Sequence, residues 1–359
     1  MPFLMEKRLA ALRALLAEQG LDAVIVTKYV NLHYFSGFRG DDTTLIISAD
    51  RTLLVTDSRY TEQAKSQAVG FGVVEQKDGL LAKTAELIKE LGCKKVGFEG
   101  NDLVYDRYAK LRDLMEGVDF SRPLKLDALR EVKDTAEIAC IRKACEIADG
   151  AFERALKFIR PGVSELAVAA CLENAMRELG SEGPSFKTIV ASGLRGAMPH
   201  GVASEKLIAE GEFVTMDFGA MYQGYCSDMT RTICVGRADE RQRRIYGAVL
   251  EAQKLALSLI RPGVSGRSVD RAARESLERQ GLAQYFGHGL GHSLGLEIHE
   301  EPRLSRRSDC EHLQPGMLVT DEPGVYISDW GGLRIEDTVL VTETGAEALT
   351  GSGKELIEL

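Results

Sequence analysis

The stretch MDFGAMYQGYCSDMTR, residues 216–231, holds two aspartates, Asp217 and Asp228, on either side of FGAMYQGYCS. The flanking runs, Glu212 to Phe218 and Tyr225 to Val235, are rich in β-branched and aromatic residues, which favour strands. A turn centred on Tyr222 and Gln223 would set the two aspartates directly opposite each other in a hairpin, where Cβ atoms stand ~4.5 to 5.5 Å apart. Carboxylates that close do not all ionise cheaply without a cation. The stretch therefore predicts a β-hairpin that offers carboxylates to metal.

Three later segments supply partners: FGHGLGHSLGLEIHEEPR (286–303), TDEPGVY (320–326) and GGLRIED (331–337). Glu322 and Glu336 repeat the paired-carboxylate device around the turn residues 328–332. Gly287, Gly289, Gly291 and Gly295 argue against a helix, so His288 and His292 are expected on one face of an extended segment. Taken singly, each acid reads as solvated surface and each histidine as a hydrogen-bonded core residue. Taken together, Asp217, Asp228, His292, Glu322 and Glu336 read as one metal site, because four of the six histidines fall in the same glycine-punctuated segments as the acids. Many carboxylates with one imidazole suit Mn2+, Co2+ or Fe2+ better than a structural zinc site, and none of the seven cysteines has metal-ligand spacing.

That ordered set, with HGLGHSLGLEIHEEPR, DEPGVY, GGLRIED and the upstream SFKTIVASGLRGAMPHG around His200, resembles the aminopeptidase P and prolidase group of proline-directed metallopeptidases. The resemblance spans essentially the whole chain. It implies an α/β (α+β) protein: a creatinase-like mixed α/β domain over 1–126, then a pita-bread catalytic domain over 127–359 with an internal pseudo-twofold repeat. It also implies two divalent cations, Mn2+ first with Co2+, Fe2+ or Zn2+ as alternatives. Asp217 would chelate one metal, Asp228 and Glu336 would bridge both, and His292 and Glu322 would complete the second, with Glu322 also shuttling a proton. His200 and His299 would donate hydrogen bonds to the scissile carbonyl or the oxyanion. His288 would line the pocket for the proline ring, Arg303 would hold a free carboxylate, and Tyr326 would join them in binding substrate. Arg334, counted on the substrate side as well, would orient a bridging carboxylate. Leu290 and Asp321 depart from the pattern, and strand alternation turns Asp321 away from the metals.

The leading expectation is an Xaa-Pro aminopeptidase acting on short peptides with proline in second position. An Xaa-Pro dipeptidase is the alternative, since Arg303 fits both. A non-catalytic pita-bread binding module is the distant one, disfavoured because all five ligand positions are intact. The resemblance further implies a homodimer in which the first domain narrows the cleft.

Composition sets the outer bounds. A chain of 359 residues with 44% hydrophobic and 28% charged side chains can build two cores. A net charge of −9 without a basic stripe speaks against nucleic acid. No apolar run approaches the ~18 residues that span a bilayer. The opening MPFLMEKRLAALRALLAEQG reads as an amphipathic helix without the pattern of a secretory signal. Scattered cysteines, odd in number, fit reduced thiols, so the expected compartment is the cytoplasm.

Along the chain, a helix from Phe3 to Gln19 precedes strand-like runs DAVIVT, TTLIIS and TLLVTD, then a helix over Leu80 to Leu91, the strand KKVGFEG and a helix around Tyr105 to Met115. Residues 121–125 (SRPLK) are expected as a linker. Beyond it, a helical segment leads into Arg160-Pro-Gly-Val-Ser164, and a second helical segment leads into the identical Arg261-Pro-Gly-Val-Ser265. Repetition in matching helix-to-helix context predicts an internal duplication. In each copy the glycine is expected to close the first helix and the serine to cap the second.

Overall fold

Short apolar runs in the first third of the chain build one mixed sheet. The computed structural model describes residues 5–359, and the chain divides into two units after Arg130. The sheet orders its strands Gly72–Glu75, Thr52–Thr56, Thr44–Ser48, Ala23–Val26, Lys95–Glu99 and Asp119–Leu124. Every residue of the central strands Ala23–Val26 and Thr44–Ser48 is buried, as the apolar runs AVIV and LII require. The first helix runs Met5–Gln19; the two positions before it in the expected helix lie outside the described residues.

One expectation fails here. Residues 121–125 are not a linker, because Asp119–Leu124 is the sheet's edge strand, parallel to Lys95–Glu99. Proline lacks a donor, yet an edge strand needs none on its open side, so Pro123 is accommodated. The expected boundary after residue 126 falls inside the 3-10 turn Leu126–Arg130, which is tied to the first unit by Tyr34 Oη donating to Leu129 O at 2.7 Å and Asn31 Nδ2 to Asp127 Oδ1 at 3.0 Å.

The second unit is built twice over. Helix Thr135–Phe158 opens with a capping box of Asp134 and Glu137, and helix Glu240–Leu259 with one of Asp239 and Gln242. Ser164 caps helix Glu165–Glu178 by accepting from Ala167 N, and Ser265 caps helix Gly266–Arg279 by accepting from Ser268 N. The glycines act differently from expectation. The first helices end at the extended residues Ile159 and Ile260, and Gly162 (φ 87°) and Gly263 (φ 82°) sit further on in the loop. Proline followed by a positive-φ glycine is the pairing a type II turn demands, and Val163 N and Val264 N close it onto Arg160 O and Arg261 O, both at 3.3 Å. Gly162 N then bonds Ile208 O and Gly263 N bonds Leu313 O, so the duplication extends to hydrogen bonds outside the repeated string.

Each helix pair covers its own strands. The first packs Phe152, Leu172 and Met176 on the sheet Ile189–Ser192, Phe213–Phe218 and Met229–Cys234, through Val214, Met216 and Ile233. The second packs Val249 and Leu277 over Leu318–Asp321, Asp337–Val341 and the hairpin Gly324–Ile327/Gly331–Arg334, through Val319, Leu333 and Val339. Burying each such side chain contributes about 1.5–3 kcal/mol. Glu336 N donates to Thr230 O at 3.1 Å and Thr232 Oγ1 to Arg334 O at 3.0 Å, which brings the two halves together where their acidic residues lie.

Candidate metal centre

The first hairpin places its aspartates by a register different from the expected one. Its turn is Gln223-Gly224, both at positive φ (50° and 81°), between the paired Tyr222 and Tyr225. This is the two-residue geometry that suits twisted hairpins. Moving the turn centre by one position moves every pairing by two, so Asp217 faces Thr230 and not Asp228. A shift of two preserves the face. Asp217 and Asp228 are therefore diagonal neighbours, ~7–8 Å apart in such a ladder, with space between them for a cation.

The second hairpin matches expectation. Asp321 pairs with Asp337 and Gly324 with Arg334, a continuous register that sets Glu322 opposite Glu336. The third element is the strand Gly291–Ser293, antiparallel to Glu300–Leu304, with His292 across from Arg303. A side chain at Gly291 would meet Thr320 O at 1.9 Å, so only glycine lets this strand lie against the strand Leu318–Asp321 that leads into Glu322. Leu290 is buried in the core of the second half, and its carbonyl accepts from Glu322 N at 2.9 Å.

The three elements converge. Ligand atoms of Asp228, His292 and Glu336 lie within 4.8 Å of one another. His292 Nε2 is 3.5 Å from Glu322 Oε1 and 3.6 Å from Asp228 Oδ2, and its Nδ1 is 3.0 Å from Ser293 O, which fixes the ring with Nε2 turned to the acids. Asp217 lines the same cavity. Burial, then Glu336, Asp217 and Glu322, push the Asp228 carboxyl well above the carboxylate range; burial, then Glu322 and Asp217, do the same to Glu336. Burial raises Glu322 to about 7 and lowers His292 to about 3.

These residues fit divalent metal on their own evidence. Asp217 Oδ1 and Asp228 Oδ1 are buried with no hydrogen-bond partner among the described residues, and His292 presents an imidazole nitrogen to Asp228. Bare like charges of this density need protons or dications.

Arg334 is the cation that bonds directly to one of these acids. It donates from Nη2 to Asp217 Oδ2 at 2.5 Å, from Nε to Thr230 Oγ1 at 2.9 Å and from Nη1 to Tyr326 Oη at 2.7 Å. Its carboxylate partner is thus Asp217 and not the expected Asp228 or Glu336; it reaches Glu336 only through Thr230, whose hydroxyl donates to Glu336 Oε2 at 2.6 Å. Tyr326 stands behind the cavity wall, with its hydroxyl also 2.9 Å from His288 Nε2. Burial lowers His288 to about 4 and, less strongly, lowers His299, so both rings are neutral near pH 7.

The cavity above the acids has a volume of about 1000 Å³. His200, His288, His299, Arg303 and Arg334 line it, with apolar wall from Phe186, Met198, Val202 and Ile298. His299 packs edge-on against His292 at 4.4 Å between ring centroids. Asp321 is fully buried, is absent from the cavity lining and has no hydrogen-bond partner for either oxygen among the described residues. Its carboxyl is pushed up by burial and then by Asp337.

Residues 139–343 match metallopeptidase family M24, and residues 8–132 match the creatinase/prolidase N-terminal domain. The chain belongs to metallopeptidase family M24. An Xaa-Pro dipeptidase from Bacillus anthracis superposes with a TM-score of 0.96 at 46% identity, covering 99% of this chain and 100% of its own. An Xaa-Pro dipeptidase of Pyrococcus furiosus is 42% identical, over 98% of this chain and 100% of that protein. An X-Pro aminopeptidase from Thermotoga maritima superposes with a TM-score of 0.90 at 37% identity, over 95% and 98% of the two chains. The M24 peptidase is thus a hydrolase with a creatinase-like first domain and a pita-bread second one. No helix of its described residues is long and apolar enough to cross a membrane.

Several residues of this M24 site escaped the sequence reading. Thr230 and Thr320 each sit two positions from an acid, on the same strand face: Thr320 Oγ1 donates to its own neighbour Glu322 Oε1 at 3.0 Å, and Thr230 Oγ1 to Glu336 on the other half. Strand alternation carried that signal. Arg231, buried on the opposite face, bonds Asp337 Oδ1 at 2.8 Å and the Glu336 carbonyl.

Proposed function

We propose that this M24 peptidase is an Xaa-Pro dipeptidase, working with two divalent cations of which Mn2+ is the first choice and Co2+, Fe2+ and Zn2+ the alternatives. In this reading Asp217, Asp228, His292, Glu322 and Glu336 hold the cations, with Asp228 and Glu336 shared. When bound, such cations acidify a water and polarise the scissile carbonyl. The protein's side chains do the rest. Glu322 accepts the proton of the attacking water and delivers it to the proline nitrogen as the C–N bond breaks. His200 and His299 donate hydrogen bonds to the oxygen on which negative charge develops. His288, held by Tyr326, walls the pocket for the proline ring. Arg334 supports Asp217.

The observation that carries the dipeptidase reading is the likeness to dipeptidases at 46% and 42% identity. Arg303, which fits either reading, sits across from His292 and lines the cavity. A guanidinium there can take the free carboxylate of a two-residue substrate in paired hydrogen bonds. The relatives at 46% and 42% identity are dipeptidases, whereas the aminopeptidase neighbour is at 37%, which favours this reading over the aminopeptidase expected from the sequence.

Steady-state kinetics on Ala-Pro and Ala-Pro-Ala test it. Wild type should prefer Ala-Pro, and Arg303→Ala should raise its KM roughly 10- to 100-fold, since hydrogen bonds to charged groups contribute about 1.5–3 kcal/mol. Preference for the tripeptide, with Arg303→Ala silent, would restore the aminopeptidase reading. A homodimer and a cytoplasmic location belong to the same proposal. The free state of all seven cysteines supports a reducing compartment, and sedimentation equilibrium reads the subunit number directly.

A further inference from the structure

Lys133 and Glu300 form an ion pair with side chains 1% and 5% exposed, below the hairpin that carries His292 and His299. Lysine is almost never buried unpaired, and a buried ion pair is seldom more stabilising than apolar side chains of the same volume. What this pair contributes is geometry. The ammonium has three donors, and all three have acceptors: Ser293 Oγ at 2.9 Å, Glu300 Oε2 at 3.2 Å and Glu131 O at 3.3 Å. Ser293 and Glu300 are directly paired across the hairpin, where the register shifts between His292 and Ser293. Lys133 therefore pins both strands at the point where the loop 294–299 leaves and returns.

The loop itself rests on the same carboxylate. Glu300 Oε1 accepts from Glu297 N at 3.1 Å, and a side chain on Gly295 would meet Glu300 Oε2 at 2.9 Å. His292 is the neighbour of Ser293, whose carbonyl holds its Nδ1; His299 is the neighbour of Glu300. Lys133 is fixed in turn by its N–H to Gly316 O at 2.9 Å, by the bridge from Val132 to Met317, and by Asp134 capping the next helix. Lys133 and Ser293 are 160 positions apart, so no local pattern announces the contact.

We propose that Lys133 and Glu300 are positioning residues that set the separation of His292 from His299, and with it the alignment of metal against carbonyl. The inference rests on the reading that these two histidines serve metal and substrate. A misplacement of about 1 Å in such an alignment can cost ~10²-fold in rate, and loss of an outer-shell partner costs a metal site roughly 10- to 100-fold in affinity.

The test uses Lys133→Met, Glu300→Gln and Ser293→Ala in the full chain. Four quantities are read: kcat and KM on Ala-Pro, the Kd of Mn2+ by calorimetry, and Tm. The expected result for Lys133→Met is kcat lower by roughly 10- to 100-fold and Mn2+ bound roughly 10-fold more weakly, with KM moving less than kcat. Ser293→Ala, which removes one of three hydrogen bonds and keeps the charge pair, should lose several-fold in kcat at a Tm close to wild type. Should Lys133→Met fail to fold, Glu300→Gln and Ser293→Ala decide alone. Variants that lose Tm but keep wild-type kcat and Kd would reduce the pair to a structural brace and overturn the proposal. A wild type inactive on both Ala-Pro and Ala-Pro-Ala would fault the functional reading instead, and the Mn2+ Kd of the variants would still decide the pair.

Discussion

Replacing Glu322 by glutamine should make the metal-free protein more stable while destroying the metal-loaded enzyme. The carboxyl sits at about 7 in the folded chain against an ordinary 4.5, chiefly because it is buried. A carboxyl whose folded value is raised binds its proton more tightly in the native state. Its contribution is therefore fully present below pH ~4.5 and is lost as pH climbs through about 7. One unit is worth 1.36 kcal/mol, so ionised Glu322 costs the chelated wild type about 3 kcal/mol above neutrality. Glutamine keeps the shape and the hydrogen bond from Thr320 but cannot ionise.

In chelator at pH 8, Glu322→Gln should exceed wild type by about 3 kcal/mol, a Tm difference of ~6–12 °C for a unit of this size. Below pH ~4.5 the difference should vanish. The low values of His288 and His292 lower stability in acid for both proteins alike, so they cancel in the comparison. Adding Mn2+ should reverse the order, because wild type gains binding energy that the variant has lost. Denaturant and thermal unfolding at pH 4, 6 and 8, with and without metal, provide the numbers. Equal stability at pH 8 in chelator, or a gap that persists at pH 4, would refute the account of Glu322 as a carboxyl destabilised by burial.

Asp228→Ala and Glu336→Ala should each lose both metals and all activity if, as proposed, each is shared between them; plasma emission analysis showing full metal content in either would exclude that role. His299→Ala and His200→Ala should retain metal and lose on the order of 10² to 10³ in kcat, the usual cost of one oxyanion donor. A variant that loses metal but recovers its kcat on reloading would identify that histidine as a prop. Ser164→Ala and Ser265→Ala should each cost about 1 kcal/mol in denaturant midpoint by loss of a helix cap, and nearly additively, because they cap different helices.

What could be read before folding was whatever strand and turn rules carry. The duplicated Arg-Pro-Gly-Val-Ser gave the two halves, and the glycine-punctuated strings gave the carboxylates and histidines. Boundaries of the early strands were legible within a residue or two, since apolar runs end where polar turns begin. The errors were of register and edge. Spacing alone centres the turn on Tyr222-Gln223, and the positive φ at Gln223 and Gly224 moves it on by one. Asp119–Leu124 looked like a linker because its burial is sparse, two of six residues, as an edge strand allows. Contacts such as Lys133 with Ser293, or Arg334 with Asp217, join segments brought together only by the completed fold.

Alternation explains why one short region holds so much charge on both its faces. Thr230, Glu322, Arg334 and Glu336 share the cavity side with Asp228, while Arg231, Asp321 and Asp337 occupy the other. On that other face Asp337 is fully paired: Arg231 at 2.8 Å, Lys354 at 2.5 Å, Gln253 at 2.9 Å and Thr350 at 2.8 Å. Burial raises its carboxyl, but Arg231 and Lys354 outweigh burial and hold it below the ordinary value. The cavity face lacks this balance. Among the described residues its acids bond directly to Arg334, through Asp217, and two of their buried oxygens have no partner. Behind the strands protein cations balance Asp337 but not Asp321, whose two oxygens have no partner among the described residues and whose carboxyl burial pushes up. What sets the front acids apart is access: Asp217, Asp228, Glu322 and Glu336 line the cavity, where cations from solution can reach them, and Asp321 does not.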